Sequence, residues 1–406
     1  MKISSFFKVA FVALFISSCD SSNKENTVKS PDNTHVNTIF EFPINKEQVL
    51  LLAQAKYQYH AEKLSPNKGF IRETKNNKWH QQNWKDWTDG FFPGVLWQLA
   101  IIDEKLLPLA EKWTLPLEGH KSFDSHDLGF IFNNSYGKAI RMTGESKYEG
   151  PLEFAASHLA KRYSNKVGAI RSWDFGSYQF PVIIDNMMNL DLLWFTSKQF
   201  NQDTHFQKAQ SHALTTVNEH TRPDGSSYHL IDFNPDTGAV VRKRTVQGFA
   251  DSSTWSRGQA WGIYGFTRTY HETNNVEFLA AAESMANFFI EQLPSDGVPA
   301  WDFSLNANQQ IKDSSASAIA ASALWQLSKL TKTNEKANYY QQASLTLVEN
   351  LLNSDYLDID SDKPALLKKA SGNVPSDKEV ETSLIYADYY FVEALMLQLN
   401  VIDTPS

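Results

Sequence analysis

The stretch NKEQVLLLAQ, residues 45–54, opens the first of twelve helical patterns and so decides the fold class. Asn45 is a residue that caps helices, and Gln48 three positions later completes a capping box ahead of Val49, Leu50 and Leu52. The same helical spacing of apolar residues recurs downstream. It predicts helices over 46–64, 91–102, 104–113, 127–143, 150–163, 186–199, 204–221, 254–273, 276–293, 314–331, 335–353 and 381–399. The chain is therefore all-α, built of six helical hairpins. No strict repeat is visible, which disfavours a solenoid with a consensus motif. Six hairpins permit a closed toroid with inner and outer helices alternating, and equally a superhelix or a bundle.

The loops between these helices differ in character. Residues 166–180 read KVGAIRSWDFGSYQF, rich in Gly, Ser and aromatic rings. Residues 226–248 read SSYHLIDFNPDTGAVVRKRTVQG, where Asn234-Pro235-Asp236-Thr237-Gly238 supplies turn chemistry between two β-prone runs. A hairpin there brings His229 and Gln247 towards each other.

Composition narrows the function. With 406 residues, 42% of them hydrophobic, the chain can bury a large core. Its net charge of −8, with no basic block, argues against nucleic acid as a partner. Lys2 and Lys8 precede an apolar run, Val9 to Ile16, too short to span a bilayer. The run ends in Ile16-Ser17-Ser18-Cys19, which resembles a bacterial lipobox. Residues 1–19 thus read as a lipoprotein signal peptide with Cys19 as the lipid-attachment site. Residues 20–40 read as a flexible tether and 41–406 as one catalytic domain. Cys19 is the only cysteine, so neither a disulfide nor a thiolate metal site is available. No metal-ligand cluster or phosphate loop is visible, and no cofactor is expected. The membrane is an expected partner through the lipid anchor.

Two carboxylates stand out. Asp185 lies inside an apolar run, PVIIDNMMNLDLLWF, residues 181–195, where burial of a carboxylate costs several kcal/mol unless it is paired, neutralised or used. Asp127 lies in DSHDLGFIF, residues 124–132, beside His126. Each opens a predicted helix, so each reads equally as an N-cap or as a catalytic acid. A third segment, QGFADSSTWSRGQAWGIYG, residues 247–265, gathers Gln247, Trp255, Arg257, Gln259 and Trp261. Gly258 and Gly262 are poor helix formers, which suggests that something approaches the backbone closely there.

These motifs, with DWTDGFFPGVLW (86–97), RPDGSSYH (222–229), VPAWDF (298–303), DSSASAIAASALWQL (313–327) and LIYADYYFVEAL (384–395), resemble the unsaturated glucuronyl hydrolases, glycoside hydrolase family 88. The resemblance runs in order from about residue 80 to 397. It implies an (α/α)6 barrel and acidic unsaturated oligosaccharides as substrates. It puts the catalytic aspartates on Asp127 and Asp185, with Asp185 the protonated acid and Asp127 ionised. Substrate-binding positions fall on Trp87, His126, His229, Gln247, Arg257 and Trp261. Of these, Arg257 is the first choice for the uronate carboxylate, while Trp87 and Trp261 supply ring faces. Many relatives carry a His-Gly pair where Lys369-Ala370 stands in PALLKKASGNVP, residues 364–375. Lys368, Lys369 and Ser371 are accordingly read as a possible contact for a sulfate on the leaving sugar. The alternatives are the related unsaturated rhamnogalacturonyl hydrolases and a noncatalytic glycan-binding lipoprotein.

Overall fold

A helix that is apolar all round must sit inside the protein, and one that is apolar along a stripe lies on its surface. Here helices buried on every side, some of them carrying Ser, Thr and Arg, alternate with helices buried along one stripe. The computed structural model describes residues 40–306 and 311–403, and from Phe40 onward the chain is one compact unit. The expected signal peptide over 1–19, with Cys19, and the expected tether up to residue 39 lie outside the described residues.

The enclosed helices are α2 (Phe91–Ala100), α4 (Leu128–Phe132) with α5 (Lys138–Thr143), α7 (Asn186–Phe200), α9 (Ser256–Thr273), α11 (Ser314–Leu330) and α13 (Ile385–Gln398). Every residue of α13 is buried, as is every residue of α9 from Ser256 to Tyr270. Each packs on the next around a ring, and α13 returns to α2 and closes it. The outer helices are α1 (Lys46–Lys63), α3 (Leu107–Thr114), α6 (Glu149–Ala160), α8 (Asp203–His220), α10 (Val276–Glu291) and α12 (Asn334–Leu351). Their buried positions recur every three or four residues, as with Tyr340, Ser344, Leu347 and Leu351 of α12. Inner and outer helices alternate along the chain, so the six hairpins form an (α/α)6 barrel, and the superhelix and bundle alternatives fall.

The predicted helix ends hold to within a few residues, with three differences. The helix read over 127–143 contains a π turn, Asn133–Gly137, between α4 and α5. The pattern over 104–113 starts as a short 3₁₀ turn, Glu104–Leu106, before α3. Residues 381–384 stay outside the helix, because Thr382 bridges to Ala370 and the Ser383 carbonyl accepts from the Thr74 amide. The glycines of α9 are close contacts as expected. A Cβ at Gly262 would stand 2.2 Å from the Met285 methyl, and one at Gly258 would stand 2.5 Å from the Trp255 ring.

Short strands decorate one end of the barrel. β1 (Phe70–Lys75) and β2 (Lys78–Gln82) form a hairpin, and β3 (Tyr163–Ser164) pairs with β4 (Ala169–Ile170). β5 (Pro181–Ile183) joins the predicted hairpin of β6 (Leu230–Phe233) and β7 (Val240–Arg244) in the order β5-β6-β7. Pairing of Ile183 with Leu230 sets Asp185 just past a fixed strand end, beside His229.

Candidate active site

At the end of the barrel where the inner helices begin, a cavity of about 240 Å³ opens. Asp127 and Asp185 stand in its wall, one residue ahead of α4 and α7. Arg257, in the first turn of α9, and Tyr386, in the first turn of α13, stand there too. Helix N-termini carry partial positive charge, so this end favours an anion even in a protein of net charge −8.

Gly129 makes the meeting of α4 and α7 possible. A Cβ there would lie 2.4 Å from the Asn189 Cα, so only glycine allows the approach. Asn189 then holds the two helices together from both ends of its amide. Its Oδ1 accepts from the Phe130 amide at 2.8 Å, and its Nδ2 donates to Asp127 Oδ1 at 3.1 Å.

Neither aspartate makes a side-chain capping bond, so the N-cap reading fails for both. Asp185 even has helical backbone angles, and its Oδ2 is buried with no hydrogen-bond partner. Burial pushes its carboxyl up to about 7, the nearby Asp127 charge adds to the rise, and Arg257 opposes it. Asp127 is also pushed up to about 7 by burial, against the pull of the Asn189 bond. The sequence reading left Asp127 ionised, whereas burial acts on both carboxyls alike. What separates them is the donor. Asn189 stabilises the ionised form of Asp127, while no donor reaches Asp185 Oδ2, which makes Asp185 the better proton carrier.

The two histidines are held neutral, each lowered to about 3 by burial. His126 Nδ1 lies 2.7 Å from the Ser172 carbonyl and so carries its ring proton. Its Nε2 has no hydrogen bond, sits 3.2 Å from Asp127 Oδ1, and is left to accept from a ligand hydroxyl. His229 has the opposite tautomer. The amides of Val246 and Gln247 both point at its Nδ1 at 3.3 Å, so the proton is on Nε2, 3.8 Å from Asp185 Oδ2. His229 and Gln247 thus meet as predicted, through the Gln247 backbone. The Gln247 side chain lines the cavity and donates to the Gly372 carbonyl at 3.3 Å.

Arg257 corrects the sequence reading. It lines the cavity, but its guanidinium is tied to the protein. Nη1 donates to Asp313 Oδ2 at 2.8 Å and to the Ser371 carbonyl, and Nη2 donates to the Gly372 carbonyl at 2.5 Å. Nε has no partner. The arginine is primarily a clamp on the 371–372 backbone, with Nε its unengaged donor.

Trp87 lines the cavity, with Tyr386 at 4.8 Å and Phe130 at 5.3 Å from its ring. Trp261 does not reach it. That side chain is fully buried one layer back, against Phe130 at 5.2 Å and Tyr390 at 5.3 Å. The proposed sulfate contacts are also absent from the lining. Lys368 Nζ donates to the Ser354 carbonyl, and Lys369 Nζ sits 5.3 Å above the Tyr356 ring. The Ser371 hydroxyl donates to the Lys312 carbonyl and accepts from the Glu381 amide. The loop does border the cavity, but through Gly372 and Asn373.

Sequence reasoning missed several lining residues. Arg72, on β1, lies over Trp87 at 5.9 Å and is paired with Glu379 and with Asp86 at 2.7 Å. Trp173 and Tyr386 also line the cavity; Trp173 sits in the segment noted for its aromatic rings, and Tyr386 in one of the motifs that carry the resemblance.

Known proteins resemble this chain closely. An unsaturated glucuronyl hydrolase of Formosa agariphila is 42% identical over 334 residues, spanning 80% of this chain and 82% of the relative. An unsaturated chondroitin disaccharide hydrolase of Streptococcus agalactiae is 32% identical over 334 residues, spanning 80% and 84%. The crystal structure of an unsaturated glucuronyl hydrolase specific for heparin superposes with a TM-score of 0.83 at 38% identity, covering 89% of this chain and 99% of that one. No family model matches the chain. Identity of 42% over 80% of the chain, the same barrel, and two buried carboxyls facing one aromatic cavity at its helix N-termini place this chain in the family of unsaturated glucuronyl hydrolases.

Proposed function

We propose that this protein releases a Δ4,5-unsaturated uronic acid from the non-reducing end of acidic oligosaccharides produced by polysaccharide lyases. One observation carries the reading: Asp185 Oδ2 is buried, unpartnered, and raised to about 7 beside a second carboxyl in the cavity. Such a group is a proton donor at neutral pH.

The substrate's C4=C5 bond is an enol ether conjugated with the ring oxygen. Asp185 gives its proton to C4, the π pair forms the new C4–H bond, and positive charge develops at C5 and the ring oxygen. Water adds its oxygen to C5 and returns a proton to Asp185. The hemiketal opens, and the hemiacetal left at C1 collapses to release the neighbouring sugar. One carboxyl thus serves as acid and then base, and no covalent sugar–enzyme bond forms. The carboxylate-separation rule for ordinary glycosidases does not apply to this chemistry. Asp127, oriented by Asn189, and His126 Nε2 accept from sugar hydroxyls, while Trp87 offers a ring face. These roles are supported by the lining geometry.

The test is loss of the enol ether's ultraviolet absorbance when the protein meets lyase digests. Asp185→Asn should fold and bind yet lose roughly 10²–10⁴ in rate. Binding with the absorbance retained by the unaltered protein points instead to a glycan-binding role.

We also propose that the chain is exported and anchored through Cys19, the reading supported by the apolar run ahead of it. Cys19→Ala should move the protein from the membrane fraction to the soluble one; an unchanged distribution removes the anchor.

A further inference from the structure

A cavity of about 240 Å³ is smaller than the roughly 300–1,000 Å³ of pockets that engulf a whole drug-sized ligand. It has room for one sugar ring, so sugars beyond the cleaved bond lie on its rim. There the chain carries an aromatic pair that the chemistry above does not use. Trp173 lines the cavity, and Phe175 stacks on it with centroids 5.9 Å and planes 24° apart. Phe175 is 71% exposed, more than any other large apolar side chain among the described residues.

The loop bearing this pair is held firmly. Asp232 Oδ1 accepts from the amides of Gln179 and Phe180, at 2.8 and 3.0 Å. Arg242 donates to the Ser177 carbonyl and covers the Tyr178 ring at 4.9 Å. Tyr178 in turn meets Trp173 edge-on at 5.7 Å. Gly176, at φ +76°, turns the chain immediately after Phe175, a conformation that other residues rarely adopt. The fold gains no core from a phenyl ring in water. Its apolar face, in line with Trp173, continues the cavity wall outward.

We infer that Trp173 and Phe175 form a shelf for the sugars beyond the cleaved bond, so that the enzyme favours lyase products longer than a disaccharide. The inference rests on the hydrolase reading above. A sugar presents flat C–H faces, and an aromatic ring contact of this kind changes kcat/KM by about three- to tenfold.

The experiment measures kcat/KM on unsaturated di- and tetrasaccharides, both isolated from one heparin lyase digest and from one chondroitin lyase digest. The wild-type ratio of tetra- to disaccharide should exceed one, and Phe175→Ala and Phe175→Leu should lower it three- to tenfold. Phe175→Tyr, which keeps a flat ring, should retain it. A wild-type ratio of one or less, or an unchanged ratio in Phe175→Ala, overturns the shelf. Consumption of neither size by the wild type instead overturns the hydrolase reading on which the shelf rests.

Discussion

Arg257 Nη1 lies 2.8 Å from Asp313 Oδ2, with the two side chains 1% and 0% exposed. A buried pair of this kind is costly to break, because the survivor is left charged and unpaired. Here it also organises the site, since the same guanidinium holds the Ser371 and Gly372 carbonyls. Asp313→Ala should lower the free energy of unfolding by about 3–5 kcal/mol. Arg257→Lys replaces a planar fork with a point charge and should lose stability and kcat/KM together. Denaturant unfolding beside steady-state kinetics checks this. An Arg257→Lys enzyme with a wild-type unfolding midpoint would show that the fork does not hold the loop.

Asp185 should destabilise the fold at the pH where it works. Its folded pKa of about 7 lies above its ordinary value of 3.8. Between those values the folded protein holds a proton that the unfolded chain has released, so stability falls as pH rises through this window. Asn does not titrate. Asp185→Asn should therefore be more stable than wild type at pH 8, with the difference vanishing towards pH 4. Unfolding midpoints across that range are the measurement, and a constant difference at every pH contradicts the assignment.

Asn189→Ala removes the donor that favours ionised Asp127. The Asp127 pKa should rise, and the limb of the pH–rate profile set by its ionisation should move to higher pH. The polar bridge to the Phe130 amide is lost as well, so a stability loss of about 1–3 kcal/mol accompanies the shift. A stability loss with an unmoved profile would assign Asn189 to the helix contact alone.

The loop lysines give a prediction opposite to the one their sequence invites. With Lys368 on the Ser354 carbonyl and Lys369 over Tyr356, their joint replacement by alanine should leave kcat/KM within about twofold on sulfated and unsulfated disaccharides alike. A loss confined to sulfated substrates would restore them to the site.

These outcomes separate what the chain shows locally from what it does not. The outer helices were legible because their apolar positions recur every three or four residues, and α1 carries its predicted capping box from Asn45 and Gln48. The β1–β2 hairpin was overlooked although Asn76 and Asn77, at φ +52° and +58°, are residues that suit a tight two-residue turn. Asp185 could be singled out because a carboxylate in an apolar run is conspicuous, and Asp127 because it opens an apolar helix beside His126. Their departure from capping was not legible, since it depends on Asn189 and on burial by distant elements. The engagement of Arg257 depends on a carbonyl pair more than a hundred positions away, separations of 114 and 115 residues. The family resemblance makes Trp261 a ring face, yet it packs behind Phe130, which lines the cavity.

The closure of the ring by α13 against α2 has a consequence for biosynthesis. Tyr57 of α1 donates to Asp388 of α13 across 331 residues, and Arg72 meets Glu379 across 307. Trp87 and Tyr386 face each other in the same way. A nascent chain therefore has its carboxyls long before it has the wall that desolvates them, and the last inner helix must arrive before Asp185 is held protonated at neutral pH. Contacts this far apart in sequence form slowly. Until they do, the apolar faces of the other inner helices stay open, and the growing chain is inert as a catalyst but prone to self-association.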